Sequence, residues 1–186
     1  MPYLYGEGIR LRAMERGDIP MFVSWFNDPD VTLGLGMTVP LGQADEESWF
    51  GRTLALPAEQ HPLVIEVRHS DPMGMGMVEW LPVGNCGFHK INWQFRSAEF
   101  GIVIGEKDFR NKGVGTGAVR LLLEHGFHNL NLHRISLQVH ADNPGAIRCY
   151  EKAGFRLEGR LRDQVFKRGH YVDMLVMSVL VQEYGG

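Results

Sequence analysis

Apolar and polar positions change their spacing several times along this chain, and each change marks an element. Residues 8–12, Gly-Ile-Arg-Leu-Arg, alternate as a strand does. A helix is predicted over residues 18–26, with Asp18 early and Pro20 in its first turn; Asn27-Asp28-Pro29 closes it. Residues 31–41 hold Gly34, Gly36 and Pro40 and read as loop. Asp45-Glu46-Glu47 opens a second helix to about Leu56, with Trp49, Phe50 and Leu54 on its apolar side. Residues 63–68 form a strand, and residues 75–83 fit either a strand or an irregular insertion. Cys86–Trp93 and Ala98–Ile104 pair as a hairpin, and Gly101 in its second arm marks a bulge or a close backbone approach.

Helical spacing returns from Gly115 to Leu130 through Val119, Leu122, Leu123 and Phe127. Arg134–His140 alternates as a strand, and a helix follows from Pro144 to a stop at Gly154. Residues 155–165 and 171–181 make a long hairpin about Arg168-Gly169-His170. The chain shows no repeat and no linker, so one α/β domain with a mixed sheet is expected over residues 1–186.

Composition narrows the class without naming a chemistry. The chain is 44% hydrophobic and 22% charged, an ordinary globular balance, and no apolar run approaches the ~20 residues of a membrane span. The first dozen residues lack a signal-peptide core, and two cysteines, Cys86 and Cys149, imply no disulfide framework; a cytoplasmic setting is expected. The net charge of −3 divides into −6 for residues 1–100 and +3 for residues 101–186, which would suit a cationic substrate near the first half and an anionic cofactor in the second. No basic cluster is dense enough for nucleic acid, and His125-x-x-His128 has no further metal ligands, so no metal is expected. Met73, Met75 and Met77 read as gap-filling or loop.

The chemistry sits between Glu99 and Thr116, EFGIVIGEKDFRNKGVGT. A glycine-bearing strand runs into a charged turn, and a helix starts directly after it. Such a corner offers unpaired backbone N–H groups and the positive end of a helix dipole, a site for phosphate. Arg110 and Lys112 add charge there, but the spacing is neither that of a nucleotide P-loop nor GxGxxG.

Arg110-x-x-Gly113-x-Gly115 resembles the [QR]-x-x-G-x-[GA] acyl-CoA signature of the GNAT superfamily of N-acetyltransferases. Asn143-x-x-Ala146-x-x-x-Tyr150-x-x-x-Gly154-Phe155 is similar to the family's second element, at the right distance downstream. The resemblance implies one GNAT-type domain: a mixed, mostly antiparallel sheet of about seven strands with a splayed central strand, flanked by about four helices.

It also implies acetyl-CoA as co-substrate, with no metal, and the main chain of Arg110, Asn111, Lys112, Gly113, Val114, Gly115 and Thr116 around its pyrophosphate. Val103 and Ile104 would pair with the pantetheine arm, and Asn143 would bond that arm or cap its own helix. Tyr150 matches the family's proton donor to the leaving thiolate, and Glu99 the place of its general base. A helical Cys149 is expected to pack rather than carry an acyl group.

The first helices and the tail further resemble the ribosomal-protein N-terminal acetyltransferases (RimJ/RimL type), near neighbours of the spermidine acetyltransferases. In both, the first two helices and the last hairpin loop wall the acceptor site, which points here to Trp25, Phe26, Asn27, Asp28, Trp49 and Tyr171. The implied acceptor is a peptide N-terminal amine, with a polyamine or another small amine as the alternative. A CoA-binding module without catalysis is the rival of another class. A homodimer is a partner state open to this chain by the same analogy. Thr116-Gly117-Ala118 departs from that branch's Thr-Glu-Ala and weakens the first helical turn.

Overall fold

The computed structural model describes residues 3–32, 34–37, 39–70 and 78–185. The three-methionine series at 73, 75 and 77 lies outside them. Eight strands form one sheet: β1 (Tyr3–Tyr5), β2 (Ile9–Ala13), β3 (Leu63–Ser70), β4 (Val78–Asn92), β5 (Ser97–Ile104), β6 (Arg134–His140), β7 (Arg156–Lys167) and β8 (His170–Leu180). Their order is β1-β2-β3-β4-β5-β6-β8-β7. Every pairing is antiparallel except β5 with β6. The described part of the ambiguous 75–83 stretch is the start of β4, and β1 had no sequence signal of its own.

Among the described residues five α-helices accompany the sheet: α1 (Ile19–Phe26), α2 (Pro29–Thr32), α3 (Gln43–Leu54), α4 (Val114–Glu124) and α5 (Pro144–Lys152). The short α2 lies where the sequence reads as loop; the Asp28 side chain accepts from the Asp30 N–H at 2.9 Å and starts it. The helix expected to reach Leu130 ends as α-helix at Glu124 and runs on as one π-helical turn, His125–Asn129, in which the Leu130 N–H reaches the His125 carbonyl.

Strand alternation sends neighbouring side chains to opposite faces, and both faces are covered. Ile65 joins the larger core with Phe88, Phe100, Leu122 and Ile135 beneath α4 and α5. Its neighbour Val64 joins a second core of Ile19, Phe22, Trp25 and Phe50 beneath α1 and α3. Burying each such side chain stabilises the fold by about 1.5–3 kcal/mol. Gly117 gains its reason here: a Cβ at this position would stand 2.5 Å from Ile9 Cδ1, so the glycine lets α4 close onto β2.

An ion network ties the sheet edge to the turn before α1. Arg12 donates from both Nη1 and Nη2 to the two Asp18 oxygens at 2.7 Å each, and from Nε to Glu66 at 2.8 Å. Burial opposes the charge on Asp18, but the Arg12 guanidinium and the Glu15 N–H outweigh it and hold the carboxyl below its ordinary range.

Candidate active site

The site begins with a pairing that stops. β5 and β6 run side by side only at Ser97–Arg134, Ala98–Ile135 and Glu99–Ser136. Beyond Glu99, β5 stays on β4, pairing Gly101 with Gly87 and Val103 with Asn85, while β6 stays on β8. The two strands therefore part as a wedge, and the β5 edge facing β6 loses its ladder partner. A strand edge of this kind is open to an extended chain with amide groups, such as a pantetheine arm. This is the splayed strand expected from the family resemblance.

Two helix N-termini open on the wide end of the wedge. The turn into α4 is set by Asn111 at φ 59° and Gly113 at φ 84°, and nothing lies within 4 Å of where a Gly113 Cβ would be. The first bond of that helix runs from the Gly117 N–H to the Gly113 carbonyl, so the amides of 114–116 precede the ladder and are available to an anion. On α5, Asn143 is the N-cap: its Oδ1 accepts the Ala146 N–H at 3.1 Å. The Thr116 hydroxyl lies 3.4 Å from Cys149 Sγ and joins the two helix starts.

Wedge and helix starts are parts of one cleft of about 1480 Å³. A single small ligand fills roughly 300–1,000 Å³, so there is space for a large co-substrate and an acceptor together. Val103, Ile104, Asn111, Gly113, Gly115 and Thr116 line it, as do Asn143 and Tyr150. Tyr150 is 8% exposed, its ring packed on Phe100 at 5.9 Å and Phe155 at 6.0 Å. Among the described residues its hydroxyl has no hydrogen-bond partner. Burial, with a smaller contribution from Cys149, pushes the phenol up, so it stays protonated and keeps an O–H to offer as a hydrogen-bond donor.

Other expected site residues are placed differently. Arg110 lines the cleft, but its guanidinium is spent on the main chain: Nε donates to the Ile104 carbonyl at 3.1 Å and Nη1 to that of Asp30 at 3.2 Å. It braces the turn instead of waiting for phosphate. Lys112 is outside the cleft lining, its ammonium 5.8 Å from the Phe109 ring centre, and the Val114 side chain is buried in the core. Glu99 is outside the lining as well, still within the paired part of β5. Burial disfavours its charge, yet hydrogen bonds from Lys90 at 2.9 Å and His89 at 3.4 Å prevail and keep it below the ordinary carboxylate range. The carboxylate is therefore held ionised by its β4 neighbours beside the lining residues His89 and Phe100.

Of the six residues expected to wall the acceptor, Phe26 and Trp49 line the cleft. Trp25 is buried in the second core over Gly105, its indole N–H given to Glu106 at 2.7 Å. Asn27 spends both ends of its amide on the chain, donating to the Val23 and Leu41 carbonyls and accepting the Leu41 N–H. Asp28 is paired with Lys107 at 2.9 Å. Tyr171 is 62% exposed, stacked on Phe166 outside the lining. The hairpin does reach the cleft, through Lys167, Arg168 and His170 at its tip.

Sequence reading missed His140. This imidazole ends β6, is 5% exposed and lines the cleft, with Lys167 Nζ 3.3 Å from its Nδ1 and Asp142 holding that ammonium at 2.8 Å. Burial first, then Lys167, lowers its pKa, so it is neutral at pH 7. Only its place at the last residue of a strand predicted to alternate inward at Ile135, Leu137 and Val139 could have pointed to it. Among the described residues no cluster of side chains could hold a metal.

Known proteins agree with this geometry. Residues 9–156 match the acetyltransferase (GNAT) domain family. An uncharacterized N-acetyltransferase of Bacillus licheniformis is 31% identical over all of both chains. The spermidine N(1)-acetyltransferase of Vibrio cholerae is 32% identical over 95% of each. A crystal structure of spermidine N-acetyltransferase from that organism, in complex with CoA and spermine, superposes with a TM-score of 0.83 at 27% identity, covering 97% of this chain and all of the other. With its wedge, paired helix starts and matched domain, the chain belongs to the GNAT acetyltransferases and is an acetyl-CoA-dependent N-acetyltransferase.

Proposed function

We propose that this enzyme acetylates the primary amine of a small molecule, by direct transfer within a complex that holds both substrates. The observation that carries this reading is one large cleft whose lining includes the wedge, the α4 and α5 starts and Tyr150. In this reading the amides at 113–116 hold the pyrophosphate, and the open edge of β5 at Val103 and Ile104 holds the arm. Asn143 keeps α5 in place as its cap. As the C–S bond breaks, Tyr150 passes its proton to the sulfur and regains one from water; a thiolate of pKa ~8.5 is the weaker base, so this transfer is uphill and is drawn forward by departure of the leaving group. The amine, with a pKa near ~10.4 as an ammonium, gives its proton to water in the open cleft, because Glu99 is neither free nor present there.

A small acceptor is favoured over the peptide N terminus implied by the ribosomal-protein branch. Gly34, Leu35 and Met37 of the loop after α2 line the cleft together with Lys167, Arg168 and His170 of the last hairpin, which leaves less of it to a folded protein's N terminus than to a small amine. The Vibrio cholerae relatives, named for spermidine, support a small amine as the class of acceptor. A coupled assay of thiol release from acetyl-CoA tests the reading against polyamines, simple monoamines, amino acids and peptides with free N termini. Turnover of small amines is expected; turnover confined to peptides would overturn the choice of acceptor, and acetyl-CoA binding without any turnover would support the CoA-binding module instead.

A further inference from the structure

We infer that the acceptor is a monoamine with an apolar or aromatic body, and that this cleft discriminates against polycations. The inference rests on the acetyltransferase reading and narrows its acceptor.

A polyamine carries two or more ammonium groups beyond the one that reacts. Each must leave water on entering a cleft, and each needs a carboxylate or several carbonyls to replace that water. Among the described residues, two carboxylates line the cleft, Asp30 and Asp142. Both are engaged: Lys107 holds Asp30 at 2.8 Å and Lys167 holds Asp142 at 2.8 Å. Beside Asp142 stand two cations of the hairpin tip, Lys167 and Arg168. Of the acidic residues in the first hundred, Asp30 lines this space, and Glu46 is buried on α3 outside the lining. Asp18 and Glu66 are bound to arginines under the sheet edge, Asp28 is bound to Lys107, and Glu99 to Lys90.

What the cleft offers in place of carboxylates is apolar surface. Residues 33–42, Leu-Gly-Leu-Gly-Met-Thr-Val-Pro-Leu-Gly, carry no charge, and Leu35 and Met37 from this loop line the cleft. Phe26, Trp49, Leu56 and Pro62 continue the wall. An aryl or alkyl body buries itself well there, and one ammonium can rest near the aromatic faces until it reacts. Similarity in sequence and fold to spermidine acetyltransferases thus coexists with a wall that lacks what a polycation requires.

The test compares kcat/KM of the full-length enzyme for 2-phenylethylamine, tyramine and n-hexylamine with that for spermidine and spermine. Acetyl-CoA binding is measured separately by calorimetry. An advantage of about tenfold or more is expected for the monoamines, the range set by one unpaired charge. A Leu35→Glu variant, with the new carboxylate on a surface loop, should raise kcat/KM for spermidine by about tenfold and leave acetyl-CoA affinity as it was. Spermidine turned over as well as or better than every monoamine would overturn this inference while leaving the acetyltransferase intact. Bound acetyl-CoA with no thiol released by any of the amines would overturn the underlying reading and this inference with it.

Discussion

Replacing Tyr150 by Phe removes one oxygen from the cleft and little else. The ring keeps its contacts with Phe100 and Phe155, and among the described residues the hydroxyl has no hydrogen bond to lose. Stability should change by less than about 0.5 kcal/mol, the range of substitutions that break no buried feature. The loss falls on the transition state. General acids contribute roughly 10²–10⁴-fold, and a thiolate is already a fair leaving group, so the low end applies: kcat lower by about 10²-fold, or about 2.7 kcal/mol. KM for acetyl-CoA should stay within about twofold, because an interaction made only as the thiolate leaves does not bind the ground state. Steady-state kinetics with a saturating amine and a thermal melt of both proteins measure these quantities. The phenol is pushed up by burial, so the wild-type rate should show no fall from its ionisation up to about pH 10, the ordinary value for Tyr. A Phe variant with full kcat would refute the donor role. A variant that loses rate and several degrees of Tm together would show that the oxygen is structural.

Three further outcomes test the rest of the site and its frame. Glu99→Gln should alter kcat by less than about threefold, since the carboxylate is tied to Lys90 away from the cleft; a loss of about 10²-fold would restore it as the base. Gly113→Ala must hold φ near 84°, at a cost of roughly 1 kcal/mol, and calorimetry should show weaker acetyl-CoA binding by up to about tenfold with a modest fall in Tm. Asp18→Asn breaks the paired bond to Arg12 and should cost about 3 kcal/mol in urea unfolding at neutral pH. Because folding lowers the Asp18 pKa, its stabilisation is present above the unfolded value of about 3.9 and is lost as pH falls through the folded one. The gap between wild type and variant should therefore hold from about pH 5 upward and close in acid; a gap that widened in acid would contradict this.

Local pattern determined much of this protein. Alternation and helical spacing located most strands and helices within a few residues, because one face of each must be buried whatever the topology. The anion corner at 110–116 was legible for the same reason, since glycines with a helix start directly after them are a local instruction to the backbone. Tyr150 was marked by its spacing from Asn143, which places it on α5 two turns past the cap. The family resemblance supplied the wedge.

Partnership was a different matter. Whether Glu99 is a base or half of an ion pair depends on Lys90 and His89 arriving from β4, and whether Arg110 meets phosphate depends on carbonyls of β5 and α2. Trp25 and Asn27 were pointed to by the resemblance, which gives the first two helices to the acceptor wall, yet neighbours up to 81 positions away claim their hydrogen bonds. His140 carried no motif and became visible only when β6 ended in the cleft. The charge division of the sequence is real, but its direction in space was decided by which carboxylates found an arginine or lysine first. Pairing energies fall off within a few ångströms, so they are fixed by contacts between distant segments, and those exist only once the chain has folded.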